Sequence, residues 1–148
     1  MALLRLGNTA AALEQERRAI ALAEAAGDAD LLGTARYTLG LLLRESGELT
    51  EALENLEAAR ARFPENTDLL AELAHTHHLA GGHPAAIEVQ TQVVAARPAD
   101  AEAHYRLGVF FAAGGDRAAA RRSFEASLRV RPGFAPAVEA LERLDRDR

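Results

Sequence analysis

Residues 101–134 read AEAHYRLGVFFAAGGDRAAARRSFEASLRVRPGF, and the two stretches before them align with it without a gap. Residues 33–66 are GTARYTLGLLLRESGELTEALENLEAARARFPEN and residues 67–100 are TDLLAELAHTHHLAGGHPAAIEVQTQVVAARPAD, so the three starts are evenly spaced by 34 positions. A fixed period of this size marks stacked supersecondary units. An apolar residue recurs at Leu39, Leu73 and Leu107, followed by a small one at Gly40, Ala74 and Gly108. A second small residue stands at Ala52, Ala86 and Ala120, and proline at Pro64, Pro98 and Pro132. Small side chains let two antiparallel helices approach closely, because a bulkier one at the crossing would force the axes apart. Proline then ends the second helix of each unit.

Turn signals separate the helices within each unit: SGEL at residues 46–49, GGHP at 81–84 and GGD at 114–116. Pro84 and Asp116 suit a helix start, and Asn66 or Thr67 and Asp100 suit the N-caps of the units that follow. Upstream, Gly7, Ala12 and Leu13 align with Gly47, Ala52 and Leu53 at an offset of 40, six more than the period. Residues 8–26 and roughly 29–46 are therefore expected to be longer helices around a linker at Gly27 to Leu32, with residues 1–6 the tail of an earlier helix. Downstream, Ala137, Val138, Leu141 and Leu144 form an apolar stripe while Glu139, Glu142, Arg143 and Asp145 face away. Such a polar-backed helix closes a stack whose last unit would otherwise leave its face in water.

The spacing closely resembles the tetratricopeptide repeat. The family's run of an aromatic, Leu-Gly, a large residue, Ala, Phe, a small residue and Pro is matched best by His104, Leu107, Gly108, Phe111, Ala120, Phe124, Ser127 and Pro132. Arg36, Leu70 and His104 depart from the family's usual Trp, and His77 and Gln90 from normally apolar places. The resemblance implies an all-α, right-handed superhelical solenoid of antiparallel helix pairs. Its single domain, 1–148, would comprise a partial repeat with a long linker (1–32), full repeats at 33–66, 67–100 and 101–134, and a capping helix at 135–148.

Composition narrows the function. A chain of 148 residues, 49% of them hydrophobic, is long enough for one continuous core and too short for two large domains. A formal charge of -5 and a pI near 5.5 offer no general attraction to nucleic acid or anionic membranes, and neither is expected as a partner. There are no cysteines, which removes disulfides and thiolate metal sites. The opening MALLRLGNTAAALEQE lacks the pattern of a signal peptide, and no stretch approaches the roughly 18 apolar residues of a membrane span. A cytoplasmic location is the simplest expectation. All 17 basic residues are Arg, which with the abundant Ala points to GC-rich bacterial coding.

The one cluster suited to chemistry is His75, His77 and His78, with His83 nearby and His104 in the next unit. His75 and His78 share a helix face, whereas His77 points elsewhere. Zinc generally wants three or four convergent ligands, and no HExxH or similar spacing is present, so no metal site is expected. Paired carboxylates, phosphate-binding Gly loops and GxSxG elbows are also missing. The expectation is no enzyme and no cofactor. His77 and Gln90 each need a hydrogen-bond partner or local exposure, because an unsatisfied buried polar group costs about 1 to 3 kcal/mol. Arg117, Arg121, Arg122, Arg129 and Arg131 make the last full copy basic, and without interleaved aromatics they read as a solvated convex face.

In proteins of the resembled family the first helices of successive units line a concave groove that holds a peptide. Carried over place by place, that groove presents Thr34, Tyr37, Leu41 and Arg44, then Asp68, Ala71, His75 and His78, then Glu102, Tyr105, Val109 and Ala112. Chaperone-binding members clamp a C-terminal carboxylate with Lys, Asn and Arg. Here Tyr37, Leu41, Ala71 and His75 stand at such places, which disfavours a clamp. The expected role is a protein-interaction scaffold whose partner is a peptide or protein. Capture of an acidic segment would strengthen as pH falls from about 7.5 to 6, through His75 and His78. The alternative is self-assembly as a homodimer through the N-terminal edge, where Leu13, Ile20 and Leu22 would be only partly covered.

Overall fold

The computed structural model describes the backbone of residues 2–146 and the side chains of residues 10–146. Met1, Asp147 and Arg148, the ends of the expected first-helix tail and capping helix, lie outside the described residues. The described residues form eight helices and no strand: α1 (Ala2–Ala26), α2 (Ala29–Glu45), α3 (Leu49–Arg62), α4 (Thr67–Leu79), α5 (His83–Ala96), α6 (Ala101–Ala113), α7 (Arg117–Val130) and α8 (Ala135–Arg146). None is long and apolar enough to cross a membrane. The chain divides into two compact units, Met1–Ala80 and Gly81–Arg148, and the boundary falls between the two helices of the middle copy.

The turns follow from local chemistry. Gly47 (φ 84°) and Gly115 (φ 86°) take the left-handed conformation that ends a helix at least cost. Around each, two backbone bonds satisfy the last carbonyls: Glu48 N–H donates to Leu43 (2.9 Å) and Gly47 N–H to Arg44 (3.0 Å), and likewise Asp116 to Phe111 (2.9 Å) and Gly115 to Ala112 (3.1 Å). Helix starts are capped as the sequence leads one to expect. Asn66 Oδ1 accepts from Asp68 and Leu69, Asp100 Oδ1 from Glu102 and Ala103, and Asp116 Oδ1 from Ala119. Asp28 caps α2 in the same way. Asp100→Ala is expected to lower stability by about 1 kcal/mol, the usual cost of a lost N-cap, read as a shifted urea midpoint.

In the first unit α1 packs on α2, α2 on α3 and α3 on α4. α1 is one helix of 25 residues running straight through Gly7, where the sequence suggested a turn. A single interior glycine costs only about 1 kcal/mol relative to alanine, too little to break a helix by itself. Only Gly27 and Asp28 separate α1 from α2, so the six additional residues lengthen helices. Leu13 is buried with Leu39, Leu43 and Ala52, and Ile20 packs against them. The coverage expected to be partial at Leu13 is thus nearly complete, and of that edge Leu22 remains open, 68% exposed.

In the second unit α5 packs on α6, α6 on α7 and α7 on α8. Ala120, Phe124, Ala137 and Ala140 form its centre, with Tyr105, Val109, Phe111, Leu128, Phe134, Leu141 and Leu144 against them. Val138, assigned to the buried stripe of α8, is instead exposed, and Ala140 takes its place. The spacing explains it. Positions 137, 140, 141 and 144 follow i, i+3, i+4, i+7, whereas 138 lies one residue round the helix. The small residues do stand at the crossings. A Cβ built on Gly40 would lie 2.7 Å from Leu56 Cγ, and one on Gly108 would lie 2.5 Å from two carbons of the Phe124 ring.

Candidate functional site

In the first unit, α2 and α4 carry the residues assigned to a binding face. Tyr37, Leu41, Arg44, His75 and His78 are half-buried, while Thr34 and Asp68 are exposed. None belongs to the fully buried core. The Thr34 hydroxyl is turned back onto its own helix, donating to the Asp30 carbonyl at 2.9 Å. Arg44 pairs with Glu72 of α4, and the two side chains are only 16% and 29% exposed. Such partial shielding holds the guanidinium in one place more firmly than a surface pair would, because water and salt screen it less. Glu72 was not among the candidate residues. The register could have found it, since Arg44 and Glu72 lie on first helices of consecutive units and carry opposite charge.

Burial, together with the negative charge of Glu72 and Asp68, raises the Tyr37 phenol above its ordinary value, while Arg44 pulls the other way. The neutral phenol is therefore favoured in the folded chain. Its contribution to stability is present below the ordinary value of about 10 and is lost as pH rises through the higher folded value. In a Tyr105→Phe background, which leaves one tyrosine, a phenolate absorbance titration should give a midpoint above 10. Glu72→Gln should bring it down; an unmoved midpoint would mean that Glu72 does not act on Tyr37.

The histidines do not converge on a metal. Among the described residues no three of His, Cys, Asp and Glu are placed to hold an ion. His77 Nε2 lies 3.5 Å from Glu57 Oε1, and His104 Nε2 lies 2.9 Å from the Pro98 carbonyl. Gln90 is fully buried, and its Nε2 donates to the Ala103 carbonyl at 2.9 Å. His77 thus has an acidic neighbour at half-burial, and Gln90 satisfies its amide nitrogen on a backbone carbonyl while its buried Oε1 has no hydrogen-bond partner.

In the second unit the three assigned groove positions of α6 behave differently from Glu102, which pairs with Arg106 at 3.1 Å along its own helix. Tyr105, Val109 and Ala112 border an open cavity of about 310 Å³, closed on the other sides by Phe124 and by Ala140, Arg143 and Leu144 of α8. The Tyr105 ring is fixed by two aromatic neighbours, Phe124 at 5.7 Å and Phe134 at 5.7 Å in an edge-to-face arrangement. Arg131 lies over the Phe134 ring at 4.7 Å. The α8 contributors were missed in the sequence because that helix reads as a cap. The basic residues of α7 are less free than a solvated face suggests: Arg121 pairs with Asp145, and Arg117 donates to the Leu144 carbonyl.

Comparison with known proteins agrees with this architecture. The tetratricopeptide repeat pattern matches residues 37–100 and again 80–136. BBSome complex member BBS4 of Xenopus tropicalis is 32% identical over 75 residues, and the match spans 51% of this chain but only 14% of that protein. Among solved structures, MamA superposes with a TM-score of 0.82 at 18% identity, covering 97% of this chain and 80% of its own. The first repeat domain of Spaghetti (RPAP3), bound to the HSP90 peptide SRMEEVD, gives 0.70 at 18% identity over 78% of this chain and 91% of its own. With the family pattern covering well over half of the chain, and helix pairs of matching bounds behind it, the protein belongs to the tetratricopeptide repeat family.

Proposed function

We propose that the protein is a non-enzymatic interaction scaffold that binds a peptide or a partner protein through the first helices of its repeats. In the first unit the binding residues are Thr34, Tyr37, Leu41, Arg44, Asp68, His75 and His78. In the second they are Glu102, Tyr105 and Val109. The observation that carries the reading is the cavity of the second unit, where Tyr105, Val109 and Ala112 leave open an apolar space instead of filling it. Three assigned positions facing one cavity suit a ligand side chain. Spaghetti, of similar fold, is bound to a peptide, which supports the same class of role. The test is affinity capture from extracts of the source cells with the intact chain, Tyr37→Ala and Ala112→Arg, each verified as folded by circular dichroism. Loss of the same partners with these variants is expected. Capture that survives both, while variants of exposed residues on α3 and α7 abolish it, would overturn the reading.

Self-association through the N-terminal edge is a second reading, supported by Leu22, at 68% the most exposed large hydrophobic residue among those described. Sedimentation equilibrium decides it. A mass of 15.8 kDa at every concentration up to the millimolar range would exclude a homodimer; a rising mass that Leu22→Glu abolishes would establish one.

A further inference from the structure

We infer that the cavity of the second unit recognises a bulky apolar side chain flanked by acidic residues in a partner peptide. The inference rests on the peptide-binding reading above and specifies its ligand. Val109, Ala112, Phe124 and Leu144 give the cavity an apolar interior, and at about 310 Å³ it has room for a large aliphatic or aromatic side chain. Its aromatic wall is preorganised, since Tyr105 is held between Phe124 and Phe134, so little side-chain ordering remains to oppose binding.

The lining supplies a charge of one sign only. Arg143 is its one ionisable group besides the Tyr105 phenol, and among the described residues no carboxylate pairs with the Arg143 guanidinium. Within the described residues its guanidinium makes one long bond, 3.5 Å, from Nε to the carbonyl of Glu139 on its own helix. The guanidinium only donates, and a carboxylate beside the apolar residue is the ligand group that accepts from it and opposes its charge. A basic flank would meet Arg143 as a like charge and be rejected.

The test uses the full chain, labelled with ¹⁵N, and three short peptides amidated at the C-terminus so that side chains supply the only carboxylates. The sequences are GSGEFEGSG, GSGKFKGSG and GSGEAEGSG. The first should shift the amides of Tyr105, Val109, Ala112 and α8 and saturate, and the other two should bind at least about tenfold more weakly. Ala112→Phe, at an exposed position of the lining, should abolish the shifts. Arg143→Glu should reverse the preference between the acidic and basic flanks. Equal binding of the acidic and basic peptides, shifts confined to α2 and α4, or no shift at about 5 mM peptide would each overturn the inference. Shifts confined to α2 and α4 would leave the broader peptide-binding reading standing, whereas that reading fails on the capture experiment. A sedimentation mass that falls with Ala112→Phe, without any effect on peptide, would assign the cavity to a second copy of the chain and overturn the inference as well.

Discussion

Phe124→Ala is expected to lower stability by about 3–5 kcal/mol, the range for truncating a buried aromatic ring. The ring is 2% exposed, lies beneath the glycine of the α6–α7 crossing and packs against Tyr105. Its removal deletes the contact between two helices and one side of the Tyr105 cluster together. For a chain of this size each kcal/mol moves the melting temperature by about 2–4 °C, so a fall of about 10 °C is expected in a circular dichroism melt. A change under about 1 kcal/mol would show that this ring does not hold α6 to α7.

Gly108→Val should be nearly as damaging, at about 3 kcal/mol, for the opposite reason. The new Cβ would lie 2.5 Å from two ring carbons of Phe124, closer than any real contact, and the branched side chain adds two more carbons there. Removing a glycine from a helix interior would by itself stabilise by roughly 0.5–1 kcal/mol, so the sign of the measured change separates overpacking from propensity. Gly108→Ala with Phe124→Leu offers a check, since the shorter side chain relieves the clash and the double variant should be less destabilised than the two single losses predict. Ala120→Leu, on the facing helix, should cost about 1 to 3 kcal/mol. A parent-like melt for Gly108→Val would count against the close approach of α6 and α7.

These crossings were legible in the sequence because they recur. Gly40 and Gly108, with Ala52 and Ala120, repeat at the period, and only close helix contact requires a small side chain at such places. The caps were legible for a local reason, as Asn66, Asp100 and Asp116 act within three residues of themselves. What the reading missed has other causes. Val138 looked buried by its chemistry, whereas helical spacing selects Ala140. The place of Arg143 in the cavity was open to the same register, since it stands 34 residues after Val109, but α8 was read only as a cap and the period was not carried into it. The pairing of Arg44 with Glu72 spans 28 positions and follows from stacking, which single-helix patterns do not encode.

The anchoring of α8 ties the proposed peptide capture to ionic strength. Its last turn is held by Arg121 to Asp145 and by Arg117 to the Leu144 carbonyl, on a helix of 12 residues whose buried side chains are only the alanines at 137 and 140. Because α8 supplies one wall of the cavity, the recess exists only while that helix stays docked. Added salt weakens exposed ionic tethers and screens Arg143 from an incoming carboxylate at the same time. In dilute buffer the docked helix and the unscreened Arg143 act together, so affinity for the proposed acidic peptide should fall with salt more steeply than one charge pair accounts for.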